Sequence, residues 1–135
     1  MEELAEEVRE GICEAVGEEP LVGVSYYTGE RVGHVYRSDW AEEKYEPGQV
    51  DEIVRDMQLE AIGYGAHEQR QEEQLHATVR IYDDLLDIAV PIDGSQGVGV
   101  ALDLQGEYSI RKTVALIEET IEESSVASRE PVFRV

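Results

Sequence analysis

Cysteine, basic charge and long apolar runs are what this sequence has little of. Its single cysteine, Cys13, excludes an internal disulfide and a cysteine-based zinc cage. No stretch approaches the roughly 18 consecutive apolar residues that a membrane span needs. Only 11 Lys and Arg stand against 31 Asp and Glu, for a net charge of −20. That surface repels phosphate backbones and anionic lipid, so neither nucleic acid nor a membrane is an expected partner. The first ten residues are acidic and helical in pattern, unlike a secretory signal or a basic transit peptide, which points to a cytoplasmic protein.

What is present suffices for one folded domain. Of 135 residues, 41% are hydrophobic, enough for a core despite the charge. The acidic balance, with Arg far commoner than Lys, resembles that of halophilic proteins. The physical logic is screening: at 1 M salt the Debye length is about 3 Å, and neighbouring carboxylates cease to repel.

Residues 2–17 have helical periodicity, with Leu4, Val8, Ile12, Ala15 and Val16 on one side and Gly17 as a stop. Residues 21–28 and 31–38 alternate around Gly29–Glu30, which predicts a β-hairpin. A polar connection, 39–46, leads to Pro47, well suited to a first helical position. From there Val50, Ile53, Val54, Met57, Ala61 and Tyr64 predict a helix reaching as far as Gln71, its stripe widened by Leu59, Ile62 and Ala66. Gly63 and Gly65 mark an end, a kink or a close approach within it. Three strands are expected at 75–82, 85–92 and 97–104, then a helix over 107–123. Residues 1–123 make the domain, and 124–135 read as a flexible tail.

This order predicts an α/β fold: helix, two strands, helix, three strands, helix, with a single antiparallel five-stranded sheet covered by helices on both faces. One face gathers Val22, Val24, Tyr26, Ala77, Val79, Ile81, Leu86, Ile88, Val90, Val98, Val100 and Leu102. The other gathers Gly23, Ser25, Tyr27, Gly33, His76, Thr78, Arg80, Ala89, Gly97, Gly99 and Ala101, and its small residues admit a helix or ligand at close range. The outer two helices are assigned to the apolar face and the middle helix to the small one.

Element order and the stretch 75–123, with its DGSQ turn, the strand GVGVALDLQ and the helix EYSIRKTVALIEETIEE, resemble the roadblock (dynein light chain) family of profilin-like folds. The resemblance implies a homodimer that extends the sheet through the third strand and pairs the middle helices. It also implies a non-enzymatic platform, often for a Ras-like small GTPase or another signalling protein. The competing reading is a PAS- or GAF-like ligand sensor with Trp40, Tyr45 and Tyr64 lining a pocket.

Candidate chemistry is sparse. His34, His67 and His76 lack the close spacing of zinc ligands, so no metal and no cofactor is expected. Asp83, Asp84 and Asp87 crowd a turn, where Asp commonly bonds local backbone. Gly97-Val98-Gly99 matches no phosphate-binding loop. Ser25 and Ser95 show no neighbouring base in the sequence, and Cys13, flanked by Glu10 and Glu14, suits a structural role. No catalytic set emerges. The aromatics concentrate in the first half, and Tyr and Trp dominate interface hot spots. The candidate interaction surface is therefore Trp40, Tyr45, Met57, Ala61, Tyr64, Thr78 and Arg80.

Overall fold

The first helix, α1 (Glu2–Val16), stops where Gly17 takes φ +95°, a conformation open to glycine. In the computed structural model, which describes residues 1–124, it is followed by β1 (Leu21–Thr28) and β2 (Arg31–Arg37). Next come α2 (Asp39–Lys44), α3 (Pro47–Ile62) and α4 (Tyr64–Gln71). The chain closes with β3 (Thr78–Ile81), β4 (Leu85–Pro91), β5 (Gln96–Asp103) and α5 (Ile110–Glu123). All five strands form one sheet in the order β2-β1-β5-β4-β3, and every pairing is antiparallel. The α/β architecture is the expected one. The proposed tail, 124–135, lies outside the described residues beyond Ser124.

Helices α1 and α5 pack on each other and on one sheet face. Leu4, Val8 and Ile12 of α1 and Ile117 and Ile121 of α5 meet Val24, Ile88, Val98, Val100 and Leu102, all essentially buried. Removing that much branched apolar surface from water is the main stabilising term. Cys13 packs at the margin of this core. On the opposite face α3 lies over β1, β2, β4 and β5, with Val54 and Met57 against Tyr27. The small face is what lets it settle there: a Cβ at Gly99 would fall 2.8 Å from Met57 Sδ.

Several details depart from the sequence pattern. Val22 does not join the α1–α5 face. Leu21 pairs with Leu102 and Gly23 with Ala101, so a β-bulge turns Val22 toward Ala41 of α2 and Leu85, and Leu21 takes its place in the core. A second bulge makes Val35 the extra residue of β2. It pairs Gly33 with Tyr26, so Gly33 belongs to the α1–α5 face, under the Tyr26 ring. The polar connection 39–46 contains a helix, because the Ser38 hydroxyl accepts from the Ala41 N–H at 3.2 Å and Ala41 has an apolar site to fill.

The single helix expected to Gln71 is two, broken at Gly63, which settles the role of that glycine. Leu59 leaves the buried stripe and is 65% exposed. The strand expected at 75–82 is only Thr78–Ile81. Its first residues spend their polar groups elsewhere: the Leu75 N–H donates to Glu68, and the His76 ring pairs with Glu118 of α5 at 2.7 Å. His76 is therefore off the small face. Asp87 is not part of the turn either, since it lies within β4, opposite Arg80. Turn chemistry is instead clear at Asp93, whose Oδ1 accepts from the Ser95 and Gln96 N–H groups at 2.7 and 2.9 Å.

Candidate functional site

Helix α3 and the edge strand β3 carry the polar chemistry of the molecule. Pro47 begins α3, and the Glu46 N–H donates to Gln49 Oε1 at 2.8 Å, which holds the helix start. Asp51, Arg55 and Gln58 follow at i, i+4 and i+7, on one helical face. That face pins the β1–β2 hairpin. Arg55 Nη2 donates to the Glu30 carbonyl at 2.8 Å, Gln58 Nε2 donates to the Gly29 carbonyl, and Asp51 Oδ1 meets His34 Nε2 at 2.6 Å.

The other ring nitrogen of His34 lies 2.8 Å from Ser25 Oγ. The fold thus supplies Ser25 with the base that its sequence neighbourhood lacks, by pairing β1 with β2, and α3 adds Asp51 to His34. No local spacing encodes Ser25, His34 and Asp51 as a set, which is why sequence reasoning missed them. Nucleophilic catalysis also needs room for a substrate and donors aimed at a developing oxyanion. Ser25 is buried, and the cavity beside it, between α3 and the sheet, holds about 60 Å³. That is space for a few waters. The relay acts as a strut tying β1, β2 and α3.

Asp87 faces the same cavity, 5% exposed and lined about by Met57, Ala101 and Leu85. Burial pushes its carboxyl up to about 6, and the Arg80 charge opposes that rise. Arg80 is also ion-paired with Glu60 of α3, so its guanidinium links the edge strand to the helix. Just past the break at Gly63, Tyr64 is 2% exposed, and its hydroxyl hydrogen-bonds Thr78. Burial raises the Tyr64 phenol, partly offset by that bond, and burial likewise raises Tyr27.

The seven candidate surface residues therefore divide. Met57, Ala61 and Tyr64 point inward. Thr78 and Arg80 are half-buried, held from the α3–α4 side. Trp40 is 40% exposed and edge-on to half-buried Tyr45, with ring centroids 6.3 Å apart. Lys44 Nζ stands 4.7 Å above the Trp40 ring, a cation–π contact. Among the described residues no three His, Cys, Asp or Glu side chains converge as metal ligands, and no helix is long and apolar enough to cross a membrane. His34 and His76 each meet one carboxylate, and the His67 side chain lies outside what is described.

A family model described as "Domain of unknown function (DUF7522)" matches residues 6–122. The chain belongs to this family. No curated protein matches the DUF7522 sequence significantly. Solved structures do share its fold. A structure of MglB with tetrameric arrangement superposes with a TM-score of 0.62 at 15% identity, covering 87% of this chain and 81% of that one. The gliding protein MglB from Thermus thermophilus gives 0.62 at 15% identity, covering 90% and 91%. A roadblock/LC7 domain from Streptomyces avermitilis gives 0.60 at 10% identity, covering 90% and 92%. The DUF7522 chain therefore has a roadblock/LC7-like fold, as its element order implied.

Proposed function

We propose that this chain is a halophilic, cytoplasmic, non-enzymatic docking module, a homodimer built through β3 that presents a surface to a small GTPase or related signalling protein. The observation that carries the reading is the β3 edge. Among the described residues no strand pairs with its outer side, and Val79 and Ile81 are 37% and 63% exposed. An unpaired apolar edge invites strand pairing with another chain. Thr78 and Arg80 are tied from the α3–α4 side by Tyr64 and Glu60, which anchors the strand. Leu59, exposed on α3, adds apolar surface to the helix layer.

In this reading Thr78 and Arg80 flank the dimer seam, and Met57, Ala61 and Tyr64 support it from beneath. Trp40 and Tyr45 form the partner-facing aromatic contact. Against the ligand-sensor alternative, the apolar cavity under α3 is about 60 Å³, below the roughly 300–1,000 Å³ of small-molecule pockets, and the cleft of about 450 Å³ at Trp40 takes in neither Tyr45 nor Tyr64 and is lined by Glu19, Asp84 and Asp103.

Light scattering in molar KCl tests the dimer. The native chain is expected at the mass of two chains, and Ile81→Lys at the mass of one with an unchanged melting temperature. Trp40→Ala is expected to keep the dimer and weaken retention of a small GTPase from the same cell. A native chain that stays monomeric at every concentration overturns the proposal.

A further inference from the structure

We infer that the cavity between α3 and the sheet is a binding site for a short amino acid, its ammonium on Asp87 and its carboxylate at Arg37. Such a site takes a few atoms only, far fewer than a sensor pocket holds, and does not rest on the docking reading. Three observations carry it.

First, register builds the cavity. Arg37 pairs with Gly23, Gly23 with Ala101, and Ala101 with Asp87. The four therefore stand in one line across β2, β1, β5 and β4, on the face beneath α3. The two middle members carry only a hydrogen and a methyl group. Helix α3 presses on the sheet two residues further along β5, where Met57 meets Gly99. The space left at Gly23 and Ala101 is about 60 Å³, room for about four to six water-sized atoms. The charged side chains of its lining are Arg37 and Asp87, three strand spacings or roughly 14 Å apart at Cα.

Second, neither charge has a partner of its own. Asp87 is 5% exposed, and among the described residues no donor hydrogen-bonds its carboxyl. Its neighbour across the ladder, Arg80, is ion-paired with Glu60. Among the described residues no hydrogen bond or ion pair holds the half-buried Arg37 guanidinium. The Ser25 hydroxyl, also in the lining, already meets His34. A carboxyl this deeply buried without a partner is costly.

Third, the walls select the occupant. Most of the lining is aliphatic, with Val22, Val54 and Leu85 among it. A buried water needs about two to four polar partners, and beside Asp87 it finds one. An ammonium group neutralises Asp87 while its carbon chain lies against the apolar walls. A carboxylate at the far end suits the planar fork of Arg37. A simple alkylammonium leaves Arg37 alone, and a simple carboxylate leaves Asp87 alone.

Amide NMR titration of the full chain with β-alanine tests the site. The conditions are about 2 M KCl and about pH 8, where Asp87, with its value of about 6, is ionised. Shifts at Gly23, Gly99 and Ala101 are expected to saturate in the millimolar range, as suits so small a ligand. Asp87→Asn and Arg37→Gln are each expected to weaken binding by about tenfold or more. On the native chain, n-propylammonium and propionate are expected to bind at least about tenfold more weakly than β-alanine. Ala101→Val, which fills the space, is expected to abolish the shifts and keep the native spectrum elsewhere. Shifts that stay linear in β-alanine concentration overturn the inference. So does either one-ended ligand matching β-alanine, a comparison that holds whether or not a variant folds. Saturation that all three substitutions leave unchanged also overturns it and puts the ligand elsewhere.

Discussion

Asp87 carries an ionisable carboxyl in an apolar setting, and its cost to the fold is set by pH. Its value of about 6 lies above the ordinary 3.8. Between those two values the native chain holds a proton that the unfolded chain has released. Stability from this group is therefore fully present below about 3.8 and is lost as pH rises through about 6. A shift of this size corresponds to about 2–3 kcal/mol. Asp87→Asn is expected to gain stability relative to the native chain as pH rises from about 4 to 8, by an amount of that order. Urea unfolding at the two pH values checks it, and a difference independent of pH refutes it. Gly99 poses the opposite problem, of space. A Cβ there meets the Met57 sulfur, and Gly99→Val is expected to lift α3 and cost about 1–3 kcal/mol, read from the urea midpoint. The crowding of small residues was legible in the strand pattern, whereas the residue pressing on Gly99 was not.

At the scale of the element, α2 and the face of α3 that holds the hairpin are the informative cases. Helix α2 spans six residues and buries only Ala41, so its cap matters more than its packing. Ser38→Ala is expected to cost about 1 kcal/mol and to raise amide exchange over residues 41–44. Unchanged exchange there would show that packing alone forms the helix. Asp51, Arg55 and Gln58 pin the hairpin through groups that are exposed in part, so single alanine variants are expected to cost under about 1 kcal/mol each. Combined, they are expected to raise exchange at residues 29–34 without moving that of β5. The helix periodicity made α3 legible, but it ran on to Gln71, and only the structure chose a break at Gly63 from the end, kink or close approach that its two glycines allowed. The strands drifted by one residue at each bulge, because alternation cannot say where an extra residue sits. That is why Val22 and Gly33 changed faces.

For the whole molecule the governing quantity is charge. A net charge of −20 on 135 residues favours expansion at low ionic strength, and molar salt screens it within about 3 Å. The melting temperature is expected to rise steadily from about 0.1 M to 2 M KCl. A flat profile would remove the halophilic reading. The acidic surface also bears on partners. A docking protein that meets this chain in molar salt gains little from long-range attraction, so apolar contacts at Trp40 and the β3 edge must carry affinity.

Composition and periodicity by themselves determined the class of molecule: an acidic α/β fold, the order of its five strands among three helical regions, most of its apolar sheet face, and the layers of α1, α3 and α5. Those properties are local or additive, since burying one stripe of a helix or one face of a strand requires only the right period. Tertiary structure alone decided which strands lie at the edges, where two bulges reset the register, and how short β3 is. It also decided which polar groups meet: His34 with Ser25 and Asp51, Arg80 with Glu60, Tyr64 with Thr78. These contacts join side chains on different elements, and most of them form only once the core has set the distance between its layers.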